Sequence, residues 1–236
     1  MDHRVMGVIG ASGGLGVSTL AVALAVRAGP HVGATVAVDG EHLGGALDVT
    51  ACLEHLPGLR WPDLAAAAGS LDGAALLQAL PAEGATRVLA GSSGALGEEV
   101  VRASLAGLAR VCGVVVVDLG RSLWLADLCT DLVVVAGTSA RHLADATGLA
   151  SRVHELDRPA VLCLRTSRGD PVSPEEVSVH LDLPLGGSLP DDPRVGVDAD
   201  RGRAPGGRSS GGLAALSDSL LSPRTSDAWS LGGVGA

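Results

Sequence analysis

Apolar residues in this 236-residue chain gather into short runs, and stretches with helical spacing lie between them. Residues 5–10 form the first strand-length run. A glycine-rich turn follows over 10–16, and an Ala/Leu/Val-rich helix runs through 20–28. A second run over 32–39 ends in Asp39. The pattern then predicts short helices over 61–68 and 71–80, a strand over 87–90, and a helix over 98–110 with acidic residues at its start, as the helix dipole favours. Val114, Val115, Val116 and Val117 are β-branched throughout and lead into Asp118, the clearest strand in the chain. Strands over 131–136 and 160–165 flank a helix over 140–156. A further helix over 174–181 carries Ser173 as N-cap and Glu176 in the capping-box position.

Strands that read as continuous apolar runs and alternate with helices predict an α/β fold. Its sheet should be doubly wound, mostly parallel and covered by helices on both faces, in three layers α/β/α. No internal repeat interrupts this order. From Pro190 the texture changes: residues 191–194 and the arginine-rich 201–208 read as loop, 213–221 as a closing helix, and 222–236 as a disordered tail. The expected domain therefore spans 1–221.

Composition narrows the chemistry. The net charge of −9 argues against a broad nucleic-acid-binding face, and with no Phe or Tyr only Trp61, Trp124 and Trp229 could stack on bases. The core must be built from Leu, Val and Ala. Cys52, Cys112, Cys129 and Cys163 show no metal-ligand or redox spacing and read as small core residues of a reducing compartment. No apolar run reaches the ~20 residues of a membrane span. The first strand starts too early to leave room for a leader, so the expectation is a cytoplasmic protein.

The strand–glycine turn–helix unit at the start places backbone N–H groups and a helix N-terminus around a phosphate. Two folds use this grammar. Gly10, Gly14 and Gly16 fit the G-x-x-x-G-x-G of dinucleotide-binding Rossmann domains, with Asp39 where a ribose hydroxyl would be gripped. The Tyr-x-x-x-Lys pair of the short-chain dehydrogenases is missing, because the chain has neither Tyr nor Lys. A non-catalytic dinucleotide module stays open. In the alternative, a P-loop NTPase, Ser18 supplies the hydroxyl on Mg²⁺, Asp118 is the Walker B carboxylate, and Asp39 begins a switch loop.

Residues Ser12, Gly13, Gly14, Leu15, Gly16, Val17, Ser18 and Thr19 resemble the K-G-G-x-G-K-[ST]-[ST] motif of the MinD/ParA deviant-Walker ATPases. The chain is most similar to their CpaE-like branch, which includes TadZ and the septum-site-determining Ssd proteins and often lacks the P-loop lysine. Asp39, Gly40 and Glu41, with Gly44, Gly45, Leu47 and Asp48, resemble the family's switch stretch. The segment 58–64 looks like one typical of actinobacterial members, and 183–194, including Pro190, resembles the closing segment that passes the adenine. Many relatives carry a receiver-like domain ahead of this one, and none is read here.

The resemblance implies a site for ATP with Mg²⁺. Ser18, Asp39 and Asp118 would stand around the metal and Glu41 and Asp39 would be the catalytic carboxylates. The cofactor contacts would come from Gly13, Gly14, Leu15, Gly16, Val17, Ser18, Thr19, Asp118, Arg165 and Pro190. It also implies a homodimer and protein partners in septum formation or in pilus or secretion assembly. The departures are specific. Val17 and Ser12 replace the two lysines, Glu41 replaces an aspartate, and Leu164 stands where an adenine-reading Asn is expected. Losing one charge-assisted contact costs about 1.5–3 kcal/mol, so binding is weakened and hydrolysis more so. The helix over 213–221 has no basic residue, so no direct membrane anchor is expected.

Overall fold

The computed structural model describes residues 3–41, 46–65, 71–91, 96–167, 169–170 and 172–222. Eight strands are arranged in one sheet: β1 (Arg4–Gly10), β2 (Thr35–Asp39), β3 (Ala82–Glu83), β4 (Thr86–Leu89), β5 (Val114–Asp118), β6 (Asp131–Gly137), β7 (Ala160–Thr166) and β8 (Leu185–Pro190). Their order is β3-β4-β2-β5-β1-β6-β7-β8. All neighbours are parallel except the short β3, which pairs antiparallel with β4.

Along each central strand successive side chains enter opposite cores, which is why these strands read as unbroken apolar runs. Val115 and Val117 face α3 (Gly73–Ala79), α4 (Glu98–Ala109), α5 (Ala140–His154) and α6 (Pro174–Leu181). Val114 and Val116 face α1 (Val17–Val32), α2 (Leu47–Thr50) and α8 (Gly212–Leu221). The three-layer α/β/α arrangement expected from the pattern is present. All four cysteines are buried thiols, Cys112 and Cys129 in the first core and Cys163 in the second.

Four details differ from the sequence-based expectation. The second strand starts at Thr35, not at 32, because α1 continues through Pro30 to Val32 and stops at Gly33, whose φ is +81°. A proline in the last turn removes one helical hydrogen bond without ending the helix there. Residues 193–199 form α7 (Pro193–Ala199) rather than loop, with Asp192 as N-cap accepting from the Arg194 amide at 3.0 Å. Residues 185–190 form the edge strand β8, which the Gly-Gly pair hid from its β-propensity. The expected helix over 61–68 is a 3-10 turn over Trp61–Leu64, its remainder lying outside the described residues. The expected tail from 223 onward also lies outside them.

Candidate nucleotide site

β1 enters the turn at Gly10, and Gly14 (φ +77°) and Gly16 (φ +89°) take left-handed conformations that reverse the chain into α1. Among the described residues, no backbone carbonyl accepts from the N–H groups of 12–16. These donors, with the N-terminus of α1, line a cavity of about 350 Å³. Its other walls are Val17, Ser18, Thr19, Glu41, Gly120 and Arg121. Unpaired backbone donors converging at a helix N-terminus form an anion cradle.

The C-terminal ends of β2 and β5 bring two carboxylates beside that cradle. Asp39 and Asp118 are paired in register and are 3% and 4% exposed. Burial pushes the Asp39 carboxyl up to about 7, and the neighbouring Asp118 charge adds to the rise. Burial also raises Asp118, against the opposing hydrogen bonds of the Ser18 hydroxyl and the Gly120 amide. The Gly120 N–H donates to Asp118 Oδ1 at 2.9 Å. Two carboxylates that resist ionising side by side, with a hydroxyl between them and the cradle, are a donor set that a divalent cation would relieve. Ser18, Asp39 and Asp118 therefore fit the Mg²⁺ of a metal–phosphate group.

Two tryptophans hold the chain that leaves β2. Trp61 is fully buried and donates its indole N–H to the Asp39 carbonyl at 2.7 Å. Trp124 donates likewise to the Gly40 carbonyl at 2.7 Å. Arg60, next to Trp61, pairs with Asp48 at 2.9 Å and donates to the carbonyls of Gly58, Leu53 and Leu56. Asp48 is thus a structural ion-pair partner of segment 58–64. Glu41 folds over Gly120 so closely that any side chain there would collide with its carboxylate. His42, Leu43, Gly44 and Gly45 lie outside the described residues.

The two lysine positions are filled differently. Val17 turns back over β1: a Cβ added at Gly10 would lie 2.6 Å from Val17 Cγ2. Ser12 donates to Asp145 on α5 at 2.6 Å, which ties its side chain to that helix. Arg165 lies over the loop, its Nη1 3.2 Å from where a Cβ on Gly16 would sit. It is held there by Asp191, which also accepts from the Ser167 hydroxyl at 2.9 Å.

Leu164 is buried in the core against α5 and α6 and does not face the site. Pro190, expected near the adenine, stands at the end of β8 opposite Thr166 and packs against the start of α8, outside the cavity. Sequence reasoning missed Gly120, Arg121, Asp145 and Asp191. Only the turn after Asp118 carried a signal, a glycine directly after a strand-end carboxylate.

The strand order decides between the two phosphate folds. A dinucleotide-binding sheet runs 3-2-1-4-5-6 and sets its second strand beside the first. Here β5 lies between β1 and β2, so Asp39 and Asp118 flank the same loop. The structure of a ParA family ATPase from Chlorobium tepidum superposes with a TM-score of 0.79 at 20% identity, covering 93% of this chain and 99% of that one. The fold is that of the ParA/MinD ATPases.

Two more solved structures share this ParA/MinD fold. The septum site-determining protein MinD complexed with Mg-ADP from Pyrococcus horikoshii matches with a TM-score of 0.71 and 17% identity, over 92% of this chain and 96% of that one. The MinC:MinD complex of Aquifex aeolicus matches with a TM-score of 0.75 and 14% identity, over 94% and 97%. No family model matches the sequence. Among curated proteins, an uncharacterized protein of Mycobacterium tuberculosis, in strains CDC 1551 and H37Rv, is 32% identical over 210 residues. The match covers 84% of this chain and 57% of that protein, so the chain spans just over half the length of the curated relatives it matches.

Proposed function

We propose that this chain is a CpaE/Ssd-like member of the MinD/ParA superfamily that binds ATP or ADP with Mg²⁺ weakly and hydrolyses ATP slowly or not at all. It acts as a positioning or regulatory factor for septum formation or for pilus or secretion assembly, through partner proteins and a second copy of itself. The observation that carries this reading is a contrast at one loop: the backbone cradle is formed and Ser18 bonds to Asp118, which is paired in register with Asp39, while Val17 leaves the phosphates without their usual cation.

The roles follow from position. The amides of Gly13, Gly14, Leu15 and Gly16 and the start of α1 at Val17, Ser18 and Thr19 cradle the phosphates. A bound nucleotide would bring Mg²⁺, which Ser18 and the two aspartates would hold. Arg165, at the edge of the loop, stays neutralised by Asp191 until that pair opens. The apolar face of α8 is buried through Leu213, Leu216 and Leu220, which supports the absence of a membrane role for that helix. No helix among the described residues is long and apolar enough to cross a membrane.

Equilibrium binding of ATP, ADP and NADH, with Mg²⁺, to the native chain and to Val17→Lys tests the reading. The expected result is measurable ATP and ADP binding that Val17→Lys strengthens. Binding of NADH alone would overturn it. A second reading, an ATPase that tolerates the lost lysine, is favoured by Glu41 lining the cavity, where a carboxylate can orient water. Turnover that Glu41→Gln abolishes would support that second reading; no turnover in the native chain removes it.

A further inference from the structure

We propose that Arg121 is the phosphate-binding cation of this site, contacting the terminal phosphates of a nucleoside di- or triphosphate from the turn after β5 in place of a lysine on α1. This rests on the nucleotide reading above and assigns its missing charge to a named side chain.

Among the described residues that line the cavity, Arg121 is the only cation, and it stands on the same wall as Gly120 and Glu41. Its backbone is fixed from two sides. Gly120, with φ +55°, donates its N–H to Asp118 and accepts from the Gly10 N–H at 2.8 Å. The turn is therefore tied at once to the base of the glycine loop and to the Walker carboxylate.

Its side chain is exposed and makes no ion pair with a carboxylate of the described residues. In contrast, Arg165, the other guanidinium at the loop, is already held by Asp191. The cavity otherwise presents Glu41, and Ser18 on its wall is hydrogen-bonded to the buried Asp118, so a polyphosphate entering it without a cation would meet a carboxylate. A guanidinium fork suits two phosphate oxygens. Val17, turned over Gly10, leaves the space in front of the loop open to it.

The test is titration of ADP and ATP, with Mg²⁺, into the native chain and into Arg121→Lys, Arg121→Ala, Arg121→Glu and Val17→Lys. Because Arg121 is exposed, these variants should keep the native melting temperature. Affinity should follow the charge at 121: close to native for Lys, about ten- to a hundredfold weaker for Ala, and weaker still for Glu. Val17→Lys combined with Arg121→Ala should recover the loss. Native-like affinity in Arg121→Ala, or affinity that does not follow the charge, overturns the assignment and leaves the nucleotide reading standing. Binding by Val17→Lys but not by the native chain overturns both the assignment and the reading that the native chain binds nucleotide. No binding by either overturns both.

Discussion

Two regions of this molecule handle charge in opposite ways. Around the glycine loop the backbone offers unpaired N–H donors and buried carboxylates, and only Arg121 among the described side chains lining that cavity is cationic. At the far edge, past β8, guanidiniums are abundant and matched. Asp198 accepts from both Arg203 and Arg208, and Arg194 pairs with Asp192 at 3.0 Å. A count of arginines along the chain would place the anion-binding function at 201–208. The structure shows Arg203 and Arg208 held on the Asp198 carboxylate, and the unmet demand for charge is at the loop. What matters for a polyanion is uncompensated donors, not the local density of positive residues.

The largest effect that would break this contrast is loss of the brace behind the loop. Trp61→Ala empties a fully buried site and should cost about 3–5 kcal/mol in urea unfolding. Trp61→Phe leaves the Asp39 carbonyl without its donor and should cost about 1–3 kcal/mol. If Trp61→Ala unfolds at the native urea midpoint, the brace does not hold the switch.

Next is the pH response of the buried pair. The Asp39 carboxyl ionises near 7 in the folded chain and far lower in the unfolded one. Between pH 4 and 7 the native state therefore keeps a proton that the unfolded state has released. Stability should fall as pH rises through that window, by up to roughly 4 kcal/mol, and level off above it. Asp39→Asn should flatten the decline. For the same reason, Mg²⁺-dependent nucleotide affinity should rise through pH 7, as measured by titration at several pH values.

Restoring the cation is a smaller change. Val17→Lys should gain about 1.5–3 kcal/mol in ADP and ATP affinity, read by calorimetry. Smallest of all is the matched edge. Asp198 is held well below the usual carboxylate range by its two arginine partners, so its stabilising contribution is lost only as pH falls below the ordinary carboxylate range. Asp198→Asn should lower the melting temperature slightly, and ADP affinity should not change. A large loss of ADP binding in that variant would mean the two regions are coupled.

The reach of the sequence follows from which signals are local. The loop glycines, the β5 run into Asp118 and the Ser173–Glu176 capping box depend on short-range spacing, and each lies where the pattern predicts it. The capping box is closed in both directions, Ser173 N–H to Glu176 at 2.8 Å and Glu176 N–H to Ser173 at 3.2 Å. β8 was not legible because Gly186 and Gly187 suppress β-propensity while pairing with β7 supplies the order, whereas α7 opens on a local start signal, the Asp192 N-cap with Pro193 at the first helical position, that the reading as loop passed over. The tie between Ser12 and Asp145 joins residues 133 positions apart, which no local pattern reveals. Arg121 was passed over because its importance depends on a cavity formed by three separate segments.

The two indoles that hold Asp39 and Gly40 have an optical consequence. The chain has no tyrosine and only three tryptophans, so under ultraviolet excitation all of its intrinsic emission comes from indole. Trp61 and Trp124 both donate to the first carbonyls beyond β2. Their emission wavelength and quenching therefore report on the switch segment without an attached dye, and Trp61→Phe and Trp124→Phe divide the signal between its two anchors.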